Sequence, residues 1–266
     1  VEFNPLTVFG LTYGHLTRQG LTPVRAAIIV LAMMHSFLPF FGTVRPLIVT
    51  YLFFLAVLFL LEDMARGRAR WLWGAPPLFA LWANLHPGFL AGLGILFIWS
   101  AVELGRRWVH SRRGEGVRGI GAWAILAAAA SCGLATALTP HGISLWPFLY
   151  RTATGSRPDI TEWQPLALMT PLGLGYFFFA ALAALGVVCS RRARHPALLA
   201  VLACSAVLPL IAMRHTPLAA LALSVLAGGH MSDAWERWRG GPAAADPRGS
   251  FRAVGVLGLL LLLGAL

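Results

Sequence analysis

Residues 46–61 read PLIVTYLFFLAVLFLL, and this stretch decides the fold class because it contains no charged side chain. The residues that follow it, EDMARGRARW at 62–71, contain three arginines. A helix that crosses the hydrocarbon core of a bilayer needs about 20 apolar residues, and basic residues collect in the cytoplasmic loops of membrane proteins. The pattern therefore predicts a transmembrane helix that is followed by a cytoplasmic loop.

Similar apolar stretches recur along the whole chain. They lie at 24–41, 46–61, 72–85, 89–104, 120–138, 166–189, 196–213, 217–229 and 253–266. We therefore predict an all-α fold, a polytopic transmembrane helical bundle of about nine spans that forms a single transmembrane domain over residues 1–266. The stretches 72–85 and 217–229 are short, and the first contains Pro76-Pro77, so one or two broken or re-entrant helices are expected. Residues 1–20 are polar enough to form a connection.

Composition agrees with a membrane protein. Of the 266 residues, 58% are hydrophobic and 12% are charged, whereas a soluble domain has about 25% charged residues. The mean hydropathy is +0.73. The net charge of +11 comes from arginines in short runs between apolar stretches, so we expect membrane lipids as partners and no nucleic acid.

The arginines also predict the orientation of the chain. All 21 basic residues are arginine, and most lie in the connections 62–71, 105–119, 190–195 and 230–252, which alternate with connections poor in arginine. The basic connections are predicted to face the cytoplasm, in the inner (plasma) membrane of a bacterium. Residues 139–165 are predicted to form an outer loop with an interfacial helix in HGISLWPFLY, and 230–252 a flexible cytoplasmic loop.

Polar residues mark the outward ends of the predicted spans. They are Arg45, Asn84, His86, His141, Asp159, Glu162, Trp163, Arg214 and His215. Arginine offers a planar fork for phosphate, a carboxylate accepts a proton from a hydroxyl group, and the indoles of Trp163 and Trp82 offer faces for sugar rings or prenyl chains. This combination suits an anionic ligand rich in oxygen. No spacing typical of a zinc site, a phosphate loop or a catalytic triad is present, and no cofactor is certain, although a divalent metal is possible.

Each of these residues also has a purely structural interpretation. Arg45 and Arg214 would snorkel to lipid headgroups, and Asn84 would hydrogen-bond between helices. His86 and His141 would stabilise tight turns. Glu162 would pair with Arg157. Separately, the sequence predicts that His35, within the first span, is a packing histidine whose hydrogen bonds are satisfied.

Several short motifs resemble the C-type integral-membrane glycosyltransferases, a superfamily that includes protein O-mannosyltransferases and lipid A aminoarabinose transferases. The motifs are RP at 45–46, LWANLHPGFLAGL at 81–93, TPHG at 139–142, EWQP at 162–165 and RHTP at 214–217. The resemblance implies transfer of a sugar from a polyprenyl-phosphate carrier on the extracytoplasmic side, through a carboxylate base in the first outer loop. The first visible outer connection, residues 42–45, contains no Asp or Glu.

We therefore expect an enzyme in which Glu162, with Asp159, is the best visible base or metal ligand. Arg45 and Arg214 would hold the carrier phosphate, and Asn84 and His86 would orient the sugar or the phosphate. Because the chain starts at Val1 and stops at Leu266 inside an apolar run, we also expect a fragment of a longer protein. Either its catalytic loop lies upstream of Val1, or the protein lacks that loop. The alternatives are a transporter or flippase for a lipid-linked or anionic substrate, and a non-catalytic membrane subunit.

Overall fold

The protein is helical throughout the part of the chain that the structure describes. A computed structural model describes residues 5–40, 47–117, 119–155 and 158–240, and within these ranges there is no strand. The all-α prediction is confirmed for them. The helices are α1 (Pro5–Arg18), α2 (Pro23–His35), α3 (Leu47–Ala65), α4 (Ala75–Leu85), α5 (Phe89–Arg112), α6 (Ala122–Ala135), α7 (Leu145–Thr154), α8 (Pro171–Cys189), α9 (Pro196–Val207), α10 (Thr216–Ala222) and α11 (Gly228–Trp238).

Three of these helices are long and apolar enough to cross a bilayer: α3, α5 and α8. The prediction of about nine spans is therefore not confirmed. Shorter apolar helices occupy Pro23–His35, Ala122–Ala135 and Pro196–Leu210, and the last predicted span, 253–266, lies outside the described residues. Two of the apolar stretches are longer than the helices within them, because proline ends the regular helix without making the sequence polar. This happens at Leu38-Pro39, after α2, and at Leu208-Pro209, after α9.

Several helix boundaries follow directly from local sequence. Pro23 and Pro171 open α2 and α8 at positions where the missing N–H costs nothing. Thr22 and Thr170 precede them, and the hydroxyl of Thr170 accepts a hydrogen bond from the Gly173 N–H at 3.1 Å. Other boundaries differ from the prediction, and most of the proposed connection at residues 1–20 is the helix α1.

The chain forms two compact units. In described residues, the first unit contains 47–117, 119–155, 158–164 and 195–205, and the second contains 5–40, 165–194 and 206–240. The assignment of the chain as a single transmembrane domain stays a prediction.

In the first unit, α3, α4, α5 and α6 pack against one another. Thr50, near the start of α3, contacts His86, which precedes α5. At the other end, Gly67 follows α3 and approaches Gly119, which also lies beside the guanidinium of Arg107 in the last turns of α5. The helices α3 and α5 therefore run in the same direction, and α4 and α6 return between them.

Close packing of α4 on α5 depends on a glycine. A Cβ atom at Gly92 in α5 would lie 2.4 Å from Cζ3 of Trp82 and 3.2 Å from Cε1 of Phe79, both in α4. Trp82 and Phe79 are fully buried. Trp82 is therefore a core residue, and the prediction that its indole offers a face to a ligand is wrong.

The second unit is built around α8, which packs against α2 and α11. Nε2 of His35 donates to the carbonyl oxygen of Pro171 at 3.1 Å, so His35 is the packing histidine that was predicted. The helix α10 continues through a π-helical turn, Leu223–Ala227, into α11. Residues 230–238, predicted to begin a loop, are therefore helical, and residues 241–252 lie outside the described residues.

Candidate functional site

The polar turn after α4 and the turn after α6 meet at one end of the first unit. The side-chain amide of Asn84 donates to the carbonyl oxygens of Ala80 and Leu138, both at 2.8 Å. Leu138 directly precedes the Thr139-Pro140-His141 turn. Two of the predicted polar clusters therefore lie together. Asn84 therefore has the structural role that was considered for it, a hydrogen bond between helices, because both of its amide hydrogens are donated to backbone carbonyl oxygens.

His86 is held by a chain of hydrogen bonds. Nε1 of Trp82 donates to the Thr50 hydroxyl oxygen at 3.2 Å, and this hydroxyl lies 2.8 Å from Nδ1 of His86. The backbone N–H of Gly88 also donates to Nδ1, at 2.9 Å. Because Nδ1 accepts from a backbone N–H, it carries no proton, and the neutral ring is protonated at Nε2. His86 therefore shapes the His86-Pro87-Gly88 turn through Nδ1.

The helix of the predicted outer loop reaches the same end of the unit. The ring of Trp146 in α7 packs edge-on against Phe89, the first residue of α5, with centroids 6.1 Å apart. In α7, Leu149 is buried, whereas Phe148 and Tyr150 are exposed. A helix is therefore present where the interfacial helix was expected, although its place at a membrane interface stays a prediction.

His141 presents an exposed side chain beside this turn. Its backbone carbonyl accepts a hydrogen bond from the Ser144 hydroxyl at 2.5 Å, and its imidazole makes no capping bond to the short helix that follows. The backbone of His141 therefore stabilises the turn, and its side chain is exposed.

Asp159, Glu162 and Trp163 lie on a short segment of the first unit. The Trp163 N–H donates to the Ile160 carbonyl at 3.0 Å, and Nε2 of Gln164 donates to the Pro158 carbonyl at 3.4 Å. Asp159 is exposed, whereas Glu162 and Trp163 are half-buried. Arg157 and Arg45 lie outside the described residues, so the Glu162–Arg157 pair and the role of Arg45 stay predictions.

Arg214 and His215 belong to the second unit, in a short helical turn just before α10. Burial, and then the neighbouring charge of Arg214, lower the pKa of His215 to about 4. His215 is therefore neutral at pH 7, because a pKa this low leaves the imidazole almost entirely unprotonated. It offers a phosphate a hydrogen bond and no positive charge.

The sequence analysis did not predict a cluster of charged side chains around Glu103 in the first unit. Glu103 in α5 is buried, and its carboxylate accepts from Arg106 at 2.7 and 2.8 Å and from Arg107 at 2.7 Å. Nε2 of His195 lies 3.6 Å from the same carboxylate, and the His195 ring stacks on Trp99. Sequence reasoning placed 105–119 in a loop, whereas α5 continues to Arg112 and carries the two arginines one turn beyond Glu103.

The spacing of Glu103, Arg106 and Arg107 is an ion-pair pattern of a helix, so the sequence did contain this signal. His195 is distant in sequence, and only the fold could reveal its contribution. The pKa of His195 is lowered mainly by burial, although the negative charge of Glu103 acts in the opposite direction and raises it. Nδ1 of His195 and Nε1 of Trp99 are buried without a hydrogen-bond partner in the described structure.

Neither the arrangement of the side chains nor similarity to known proteins identifies a metal or a family for the described residues. Across the described ranges, no group of three or more His, Cys, Asp or Glu side chains is placed to hold a metal ion. No protein-family model, curated protein or solved structure matches this chain. The resemblance to the integral-membrane glycosyltransferases therefore rests on the short motifs alone.

Proposed function

We propose that the protein is a glycosyltransferase-like membrane protein that transfers a sugar from a polyprenyl-phosphate carrier on the extracytoplasmic side of a bacterial inner membrane. The observation that supports this most is the hydrogen bond between Asn84 and Leu138, which joins the turns of two motifs on which the resemblance rests. An amphipathic helix, α7, packs beside these turns through Trp146 and Phe89. Such a surface offers polar groups and aromatic faces at the end of a helical bundle.

The proposed reaction uses Glu162, with Asp159, as the base. The carboxylate takes the proton of an acceptor hydroxyl while the hydroxyl oxygen bonds to the anomeric carbon of the sugar. The bond from that carbon to the phosphate oxygen breaks, and polyprenyl phosphate leaves. Arg45 and Arg214 would bind the phosphate, because a guanidinium group binds two of its oxygens at once.

The structure changes the roles proposed for Asn84 and His86. The amide hydrogens of Asn84 and Nδ1 of His86 already bond within the protein. We therefore assign both residues to positioning of the two turns. We propose that the exposed ring of His141 and the indole of Trp163, both in the first unit, contact the substrate. A substrate-binding role of His215, in the second unit, stays a prediction from the sequence.

The test is transfer of labelled sugar from polyprenyl phosphate by the full-length protein in lipid nanodiscs. Glu162→Gln keeps the shape of the side chain but removes the base, so we expect the rate to fall by about 10²–10⁴-fold. Glu115→Gln is the matched control, because Glu115 is an exposed carboxylate that pairs with His110 instead. An unchanged rate in Glu162→Gln would exclude Glu162 as the base.

The Glu103 cluster favours a second candidate, a transporter or flippase for a lipid-linked or anionic substrate. It places buried charges at the end of the first unit opposite the Asn84 turn, and a transport path needs polar groups near both faces. The same protein, reconstituted into lipid vesicles, distinguishes transport from sugar transfer. Movement of the labelled carrier between leaflets without sugar transfer would support transport, and neither activity would support a non-catalytic subunit.

A further inference from the structure

The connection between α3 and α4 combines exposed arginines with exposed tryptophans. Residues 66–73 read RGRARWLW, and we name them the Arg–Trp loop. Trp71 and Trp73 are 62% and 59% exposed, although tryptophan is usually well buried in proteins. Leu72 between them is 1% exposed, so it anchors the loop while the indoles on either side project from it.

Asp63 arranges the guanidinium groups of this loop. Its carboxylate accepts from Nε and Nη2 of Arg70 at 3.3 and 3.2 Å and lies 3.6 Å from Nη1 of Arg68. The side chain of Asp63 is 13% exposed, whereas those of Arg68 and Arg70 are 59% and 64% exposed. The negative charge therefore lies beneath the surface and the positive charges face outward. Arg66, which pairs with Glu62 and Asp63, adds a third guanidinium.

Neighbouring segments extend this surface with the same pair of residue types. A Cβ atom at Gly67 would lie 3.5 Å from the Cα of Gly119, so the connection before α6 touches the loop. Near it, Trp108 and Trp123 are 61% and 85% exposed, and the guanidinium of Arg112 lies 4.9 Å from the ring centre of Trp108. Exposed tryptophans beside arginines are typical of the boundary between lipid and water.

The length of α3 places the loop at the depth of lipid headgroups. The helix has 19 residues, and at 1.5 Å per residue it is about 28 Å long, which matches a hydrocarbon core of about 30 Å. The loop begins at the residue after α3 ends. If α3 crosses the bilayer, the guanidinium groups lie at the level of the phosphates and the indoles at the level of the glycerol and carbonyl groups.

We propose that the Arg–Trp loop is a binding site for the headgroup of an anionic phospholipid. Arg68 and Arg70 donate to the lipid phosphate, and Trp71 and Trp73 lie in the interface beside it. Lipid is favoured over nucleic acid because the loop directly follows a membrane-length apolar helix. This site depends only on the insertion of α3 and not on the proposed sugar transfer, since it lies at the opposite end of the first unit from Asn84 and His86.

The test titrates the full-length protein, in neutral detergent, with phosphatidylglycerol or with phosphatidylcholine. Native mass spectrometry counts the bound lipid molecules. We expect phosphatidylglycerol to bind more tightly than phosphatidylcholine. Each arginine near an anionic lipid is worth about a fivefold change in affinity, so R68Q/R70Q should bind phosphatidylglycerol about 25-fold more weakly. R18Q/R191Q is the matched control, because it removes the same charge from exposed arginines of the second unit. We expect it to change the affinity less than threefold.

Each other outcome would overturn the proposal. Equal binding of the two lipids would show that the loop has no preference for charge. An equal loss in R18Q/R191Q would show attraction by net charge without a built site. Displacement of the lipid by millimolar inorganic phosphate would indicate a site for free phosphate, and tighter binding of an RNA oligonucleotide would indicate a nucleic-acid surface. Unchanged elution and thermal unfolding of R68Q/R70Q establish that the variant is folded.

Discussion

At the scale of single residues, the polar side chains at the helix ends divide into two kinds. Asn84 and His86 use their hydrogen-bonding groups inside the protein, in bonds of 2.8–2.9 Å, and so they hold turns in place. His141 and Asp159 are exposed. The first kind controls the shape of the candidate site, and the second kind is available to a substrate. Substitutions of the first kind are therefore expected to affect folding before they affect chemistry.

His215 makes stability depend on pH in a predictable direction. Its pKa is about 4 in the folded protein and near 6.5 when unfolded, so the unfolded chain binds more protons between these values. The contribution of neutral His215 is complete above pH 6.5 and is lost as the pH falls toward 4. We expect the free energy of unfolding to fall by about 1–3 kcal/mol over this range.

Thermal unfolding in detergent as a function of pH measures this effect. His215→Gln should remove most of the loss between pH 6.5 and pH 4, because glutamine does not titrate. His141→Gln is the matched control, since it replaces an exposed histidine by the same residue. A wild-type protein whose unfolding midpoint is flat over this range would show that His215 is not buried as described.

At the scale of elements, α4 packs tightly against α5 near the Asn84–His86 turn. A Cβ atom at Gly92 would overlap the rings of Trp82 and Phe79. Gly94 lies on the same helix, and a Cβ atom there would have no neighbour within 4 Å. The two glycines therefore differ in packing although they share the same helical backbone.

This difference gives a matched pair of substitutions. Gly92→Ala should destabilise the protein by about 1–3 kcal/mol, since its methyl group would overlap the buried rings of Trp82 and Phe79. Gly94→Ala should be neutral or stabilising by up to about 1 kcal/mol, because alanine favours a helix. Thermal unfolding of both variants under one condition is the measurement. Equal stability of the two variants would contradict the close approach of α4 and α5.

At the scale of the whole molecule, the two ends of the first unit differ in charge, and the directions of its helices explain the difference. The Arg–Trp loop and the last turns of α5, which carry Arg106 and Arg107, lie at one end. The Asn84–His86 turn and Leu138 lie at the other. The separation is what the positive-inside rule predicts if the arginine end faces the cytoplasm. Insertion in a membrane is supported by the lengths of α3, α5 and α8.

Orientation is tested by labelling single cysteines from one side. In a background without Cys132, Cys189 and Cys204, an impermeant maleimide should label Ala153→Cys, in α7, on intact spheroplasts. Ala69→Cys, in the Arg–Trp loop, should react only after the membrane is permeabilised. Both positions are exposed, so differences in reaction reflect the side of the membrane. Labelling of Ala69→Cys on intact cells would reverse the proposed topology.

The sequence alone was sufficient for the helical class and for the starts of many helices, because these depend on local features. Runs of apolar residues, and Thr22 and Pro23 at the start of α2, act over a few residues. The start of α8 at Pro171 was predicted too early, at residue 166. The sequence also singled out Asn84 and His86 as unusual, and it predicted the packing role of His35. It overestimated the number of membrane-length helices and ended α5 at residue 104 instead of Arg112. It also placed Trp82 at a ligand, because uniformly apolar segments do not reveal which face is buried.

Only the tertiary structure decided which polar groups meet. The bond from Asn84 to Leu138, the chain from Trp82 through Thr50 to His86, and the contact of His195 with Glu103 join residues that are distant in sequence. The physical reason is that a hydrogen bond or an ion pair requires atoms within about 3–4 Å, and helix packing sets those distances. Composition and local pattern determined the class of this protein, whereas packing determined which of its polar residues form a site.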